Sequence, residues 1–313
     1  MQHDPNYINQ IISKNQGDYS RAHFVLISEY LHRGQNSVVR DLDCNLILSF
    51  LTFETLQSMI KKNIKISYDE LLKFNQLDSV KLKKSEIAKH LRMPRETVRR
   101  KINKLNNFGL IKINKNEINV KTQSFKDINL KRYELYLNKC MHVVIKNYEN
   151  EEYDNRNPKK IEINLKEDFL FLWSYFLDMF IQIAIIWRKY HTSLECWYLF
   201  GTCSLNQMYN TKEFKDYKLG KIDNTENFFL NITENRNSRG LNPTTLSELT
   251  GIPRATVMRH LSTLLKNRSI KSNSENLFFI PRNTNQKKSI LKNLDNVHKI
   301  VSQLCSKTLN LYF

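Results

Sequence analysis

The chain has 313 residues, of which 41% are hydrophobic, with 49 Lys or Arg against 31 Asp or Glu and a formal charge of +18. That length and apolar content suffice for about two domains, and they exclude a wholly disordered chain, a collagen-like repeat and a disulfide-stapled miniprotein. The positive excess bears on partners, because a summed positive field attracts polyanions such as nucleic acid or an anionic membrane surface.

The opening stretch, MQHDPNYINQIISKNQGDYS, lacks the basic segment, apolar core and cleavage site of an export signal. The five cysteines (Cys44, Cys140, Cys196, Cys203, Cys305) are scattered, with no CxxC and no close His at metal-ligand spacing. Reduced thiols, a cytoplasmic location and no metal or cofactor are therefore expected.

Further along, Lys84 to His90 predicts a short helix with Ile87 and Ala88 inward, and Arg92-Met93 predicts a turn. Pro94 suits the start of a second helix, Pro94 to Asn106, which places Val98, Ile102 and Leu105 on one face at i, i+4 and i+7. The opposite face holds Arg95, Glu96, Arg99 and Asn103, with Arg92 and Arg100 at its margins. Phe108-Gly109 stops the helix, and Ile111, Ile113, Ile118 and Val120 alternate about an Asn-rich turn, which predicts a hairpin.

Glu149 to Lys160 is polar, carries Pro158 and predicts a linker. Phe169 to Trp187 is apolar and nearly long enough to cross a bilayer, yet Asp178 sits in its middle and Gln182 one turn on. A central carboxylate costs about 3 kcal/mol on insertion, so a buried or interface helix is expected and no membrane partner. A ligand pocket lined by Trp173, Trp187 and Trp197 is the other use weighed for these aromatics, and they specify no effector. Thr244 to Leu249 predicts a helix, Gly251 a tight turn, and Pro253 to Lys266 a second helix. Its inward residues are Val257, Leu261 and Leu264; Arg254, Met258 and Ser262 face outward, with Arg259 at the margin. Ile270 and Leu277 to Ile280 supply strands around Asn273-Ser274-Glu275.

The two stretches repeat each other. PRETVRRKINKLNNFGLI (Pro94 to Ile111) aligns without gaps on PRATVMRHLSTLLKNRSI (Pro253 to Ile270), at an offset of 159 and with 7 identities in 18 positions. A weaker echo precedes them: DLDCNLILSFLTF (Asp41 to Phe53) matches SLECWYLFGTCSL (Ser193 to Leu205) at an offset of 152, with a Leu-acid-Cys triplet in both. The order and spacing support duplication of a unit of about 150 residues. The expected architecture is mainly α with small β hairpins: residues 1–150 carry one module at about 66–120, residues 160–313 carry another at about 224–282, and long apolar helices join them.

Helix, short turn, helix and hairpin is the order of a winged helix-turn-helix. The stretches SEIAKHLRMPRETVRRKINKLNNFGLI and LSELTGIPRATVMRHLSTLLKNRSI resemble the DNA-binding domains of IclR-like and MarR-like bacterial regulators. The resemblance implies sequence-specific double-stranded DNA binding in transcription regulation. It makes Arg95, Glu96, Arg99 and Arg100 the recognition-helix candidates of the first copy, aligned on Arg254, Ala255, Met258 and Arg259 of the second. Base contacts are expected from Arg95, Glu96, Arg99, Arg254, Met258 and Ser262, since Arg pairs bidentately with guanine in the major groove. Arg92, Arg100 and Arg259 are assigned to the DNA backbone, Thr97 and Thr256 to phosphate contact or helix packing, and Lys112, Lys115 and Lys271 to the wings.

Such regulators normally carry one module per chain and dimerise. Here both copies are covalent, so a monomer with a pseudo-two-fold arrangement is expected to read a pseudo-palindrome, a homodimer being the alternative. The copies differ: Arg99 aligns on Met258 and Lys101 on His260. Asn75 to Val120 holds 12 basic against 4 acidic residues (+8), and Gly240 to Arg282 holds 6 against 2 (+4), so the first module should anchor more strongly. No GxxxxGK[ST], GxSxG or HExxH occurs and the histidines form no recognisable triad, so no enzyme is expected. The rival readings are a plasmid-type replication initiator and a winged-helix scaffold for protein or membrane interaction.

Overall fold

The computed structural model describes residues 3–77, 80–114, 117–126, 128–147, 163–210, 224–234, 240–282 and 284–312. Lys115 and the expected linker at Glu149 to Lys160 lie outside them. Among the described residues the chain is mainly α-helical with two short antiparallel hairpins, as its periodicity predicts.

In chain order the elements are α1 (Pro5–Lys14), α2 (Gln16–Asn36), α3 (Leu42–Lys61), α4 (Tyr68–Leu72), α5 (Lys84–His90), α6 (Arg95–Asn107), β1 (Ile111–Asn114), β2 (Glu117–Val120), a 3-10 turn (Thr122–Phe125) and α7 (Leu130–Lys146). There follow α8 (Phe169–His191), α9 (Leu194–Asn210), α10 (Thr225–Glu234), α11 (Pro243–Thr250), α12 (Arg254–Lys266), β3 (Lys271–Ser272), β4 (Phe278–Phe279) and α13 (Lys287–Tyr312). Both long sequence motifs become helices that start one residue later than expected, because each proline is the extended residue before the helix (φ −58° at Pro94, −55° at Pro253) rather than its first member.

Two compact units divide the chain. Residues 34–135 and 163–185 make one, here unit I; residues 1–33, 136–162 and 186–313 make the other, unit II. The division falls inside α2, α7 and α8, so each unit is assembled from separated stretches, where the sequence suggested contiguous halves.

Unit I is built round aromatic rings. Phe169 meets Tyr68 edge-on at 5.0 Å and stacks on Trp173 at 5.6 Å, and Trp173 meets Tyr133 at right angles. These geometries are the ones ring quadrupoles favour. The Tyr68 hydroxyl donates to the Phe125 carbonyl, so its burial leaves no orphan polar group. In unit II, α1 begins where the Asp4 carboxylate accepts the Asn6 N–H, and it buries Ile8, Ile11 and Ile12, packing on α13. Met208, Phe228 and Ile232 form a second apolar cluster, and Trp187, His191 and Phe200 stack together.

All three tryptophans are buried, Trp173 in unit I and Trp187 and Trp197 in unit II. Helix α8 is long and apolar enough to cross a membrane by length and composition, and 67% of its most apolar stretch is buried within the fold. Its central Asp178 accepts a hydrogen bond from Gln182, one turn on.

Candidate nucleic-acid interface

In unit I the candidate surface is carried by α5, α6 and the β1–β2 hairpin. Helix α5 starts where the Lys83 N–H is taken by the Glu86 carboxylate at 2.9 Å, which satisfies one donor that the first turn leaves open. It ends at Leu91, and Arg92 then adopts φ 51° to reverse the chain. Helix α6 buries Val98, Ile102 and Leu105, so the 3.6-residue repeat turns Arg95, Glu96, Arg99, Arg100 and Asn103 to solvent. Gly109, at φ 70°, closes the helix, and the hairpin pairs Ile111 with Val120 through Asn114 with Glu117. A third segment joins its edge: Val80 and Ile118 exchange both backbone hydrogen bonds, at 3.0 and 3.1 Å.

Unit II contains the same succession. The Asn242 side chain caps α11 by accepting the Thr245 N–H at 2.8 Å, Gly251 reverses the chain at φ 71°, and α12 buries Val257, Leu261 and Leu264. Arg268 follows at φ 55°. The β3–β4 hairpin pairs Lys271 with Phe279 and Ser272 with Phe278, and Leu241 exchanges both backbone hydrogen bonds with Phe278 at 3.0 and 2.9 Å. Asn273 shapes the hairpin turn by accepting the Glu275 and Leu277 N–H groups.

Positions 159 apart thus share backbone geometry where side chains differ. Arg92 and Gly251 are both left-handed, and so are Gly109 and Arg268. Glycine and arginine have traded places. The left-handed region penalises any Cβ, so two arginines held there report a backbone path that the packing dictates against local preference.

The supporting helices agree as well. Asp41 caps α3 by accepting the Cys44 N–H at 3.0 Å, and Ser193 caps α9 by accepting the Cys196 N–H at 3.1 Å. The Cys44 thiol lies 3.8 Å from the Lys101 carbonyl, and the Cys196 thiol 3.9 Å from that of His260. Lys101 and His260 therefore face the supporting helix in their own units, and their difference does not alter the outward surface.

The chemistry at that junction is opposite in the two units. In unit I the Asp41 carboxylate binds the Lys101 ammonium at 2.6 and 2.8 Å and Lys104 at 3.1 Å, with the Asp41 and Lys101 side chains only 12% and 15% exposed. Burial alone would raise the Asp41 carboxyl, but the two ammonium groups and the Cys44 N–H outweigh it and hold it below its ordinary value. In unit II the corresponding residues are Ser193, His260 and Thr263, so all three charges are absent together. His260 Nδ1 lies 3.3 Å from the Cys196 sulfur. Burial raises the thiol, and burial with the nearby Arg259 lowers the imidazole, so both stay neutral. A thiolate nucleophile is not generated there.

On the outward faces, Arg99 grips Glu96 through Nε (2.8 Å) and Nη2 (2.6 Å). This hydrogen-bonded pair holds the Glu96 carboxyl below its usual range and raises the guanidinium. The i, i+3 spacing was the available signal for it. Arg92, Lys112 and Lys271 are exposed, as are Arg254, Ala255, Met258, Arg259 and Ser262; Thr97 and Thr256 are half-buried in the first turns of α6 and α12. The Ser262 hydroxyl donates to the Met258 carbonyl at 3.0 Å, so its proton is committed to its own helix. Asn106, which the sequence left unassigned, accepts the Ile113 N–H and ties α6 to the hairpin. The described residues among those the sequence singles out thus form two clusters, one in each unit.

No family model, curated protein or solved structure matches the chain.

Proposed function

We propose that the chain binds double-stranded DNA sequence-specifically, in transcription regulation, through two winged helix-turn-helix modules that arose by internal duplication, one in each unit. The reading is supported by one observation above all: the left-handed residues, capping contacts, thiol-to-carbonyl contacts and hairpin-edge pairings recur in both units, and each frame presents an exposed, arginine-bearing helix. Selection on the frame alone would not require arginines outside it.

The mechanism follows from the outward residues. Helices α6 and α12 enter the major groove, while Arg92, Arg100, Arg259, Lys112 and Lys271 neutralise phosphates. Because Glu96 holds Arg99 through Nε and Nη2, the terminal edge of the guanidinium keeps two parallel N–H groups for guanine O6 and N7. Glu96 is then a positioning residue for Arg99.

Selection of duplexes from a random DNA pool tests the proposal. A preferred sequence should emerge, with affinity falling steeply between about 50 and 200 mM salt as counterions are released. Arg99→Ala should cost about 1–3 kcal/mol on the preferred site and little on random DNA, whereas Lys112→Ala should weaken both about equally. Failure to enrich any duplex, or affinity independent of salt, would overturn the reading.

A further inference from the structure

We propose that the two outward helices read different base chemistry, α6 a guanine-bearing half-site and α12 the 5-methyl groups of thymine. The inference rests on the duplex-binding function proposed above and names the ligand of its second half.

On α6 the outward positions 96, 99 and 103 hold Glu, Arg and Asn; 159 residues on, α12 holds Ala255, Met258 and Ser262. All are exposed, Met258 to 43%, and Leu265, two turns beyond Met258, to 36%. Ala255, Met258 and Leu265 make an apolar stripe along the solvent face, and the one hydroxyl in it donates its proton to the Met258 carbonyl. With that proton spent within the helix, the stripe has no side-chain donor for a guanine O6 or N7.

Two features select the occupant. Arg254 and Arg259 flank the stripe and are both exposed, and the segment 240–282 carries a charge of +4, so the partner is a polyanion with apolar points along its edge. In the major groove the thymine methyl is the apolar group that distinguishes base pairs, and alanine is among the side chains that contact it. Ala255 sits in the first turn of α12, the part of a recognition helix that comes nearest the base edges, with Met258 one turn deeper along the groove.

The test uses the full chain and the tightest duplex from the random pool, with each thymine replaced in turn by deoxyuridine, which deletes only the methyl. Loss of one buried methyl should weaken binding about fourfold. The sensitive thymines should fall in one half-site, and Met258→Ala should abolish their sensitivity. Arg99→Ala should leave it intact and instead remove sensitivity to 7-deazaguanine elsewhere in the site. Met258 is exposed, so its truncation opens no cavity, and Met258→Gln serves as a second variant of similar length. If the chain binds its selected duplex and no thymine substitution matters, or the sensitivity persists in both Met258 variants, thymine reading is overturned while duplex binding stands. If no duplex is enriched, the proposed function itself fails.

Discussion

The junction beneath α6 and the junction beneath α12 occupy corresponding places in their units and are filled by opposite chemistry. One is an ion cluster of Asp41, Lys101 and Lys104; the other is a neutral set of Ser193, His260, Thr263 and the Cys196 thiol. What the two share is the capping oxygen and the thiol against a helix carbonyl; what differs is charge, and it differs as a set. Removing one member alone would strand a half-buried ion, whereas replacing them all leaves no group unpaired. The same local geometry is thus compatible with a balanced ion cluster or with a neutral set.

The contrast extends to acid response, where the largest effect is expected. Unit II buries His23, His191 and His298; burial, aided at His23 by the neighbouring His298, lowers them to about 3, about 3 and about 4. Asp295 opposes the shift at His298. The fold thus refuses protons that the unfolded chain accepts below about pH 6.5, so stability is complete above that pH and falls as pH drops towards 3–4. At pH 5 each histidine costs about 2 kcal/mol. In unit I the depressed Asp41 carboxyl has the acidic window instead: its contribution is present above the ordinary carboxylate range and lost only below it. Hydrogen exchange corrected for intrinsic rates should show unit II losing protection between pH 7 and 5 while unit I keeps it; equal losses would break the contrast.

Next in size are the two cores, where the units should behave alike. Val98→Asp and Val257→Asp each place a carboxylate at a fully buried position, costing about 3–5 kcal/mol and unfolding their own module. Native circular dichroism and unchanged thermal transitions in both variants would refute the helical register. The junctions should then differ. Asp41→Ala removes a cap and strands two ammonium groups, for about 2–3 kcal/mol after allowance for the partly exposed Lys104, whereas Ser193→Ala loses only a cap, about 1 kcal/mol. Urea denaturation in low and high salt would sharpen this, since the buried Asp41–Lys101 pair is screened little and only the smaller share carried by the partly exposed Lys104 should shrink with salt.

Smallest are the exchanged left-handed residues. Arg92→Gly should stabilise by about 0.5–1 kcal/mol, and Gly251→Ala should destabilise by a similar amount. If Arg92 also neutralises a phosphate, Arg92→Gly raises the thermal midpoint while lowering DNA affinity. Both moving in the same direction would remove its assignment to the DNA backbone.

Much of this was legible in the residues. The inward faces of α6 and α12, the turn at Gly251 and the first hairpin follow from apolar spacing and from where glycine falls. The turn at Arg92-Met93 also follows from the sequence, but its left-handed backbone does not, since arginine signals nothing of the kind. The Asp41 cluster was hidden because its partners lie 60 and 63 residues apart and the Leu-acid-Cys echo carried only a faint trace of it. The β3–β4 hairpin shrank to two residues per strand because Asn273 captures the N–H groups of its turn. Discontinuous units left no mark, because a helix passing from one unit to another has the same periodicity throughout.

That discontinuity has a bearing on inheritance. Phe169 and Trp173, which fill the core of unit I against Tyr68, Phe125 and Tyr133, are encoded beyond the midpoint of the chain, among residues that follow the first repeat. A gene broken between the repeats would yield a first product whose apolar faces find no partner and would stick to one another. Neither half of the chain can be shed or transferred alone, because each unit draws part of its chain from the other half, so substitutions in the two motif-bearing segments are inherited together.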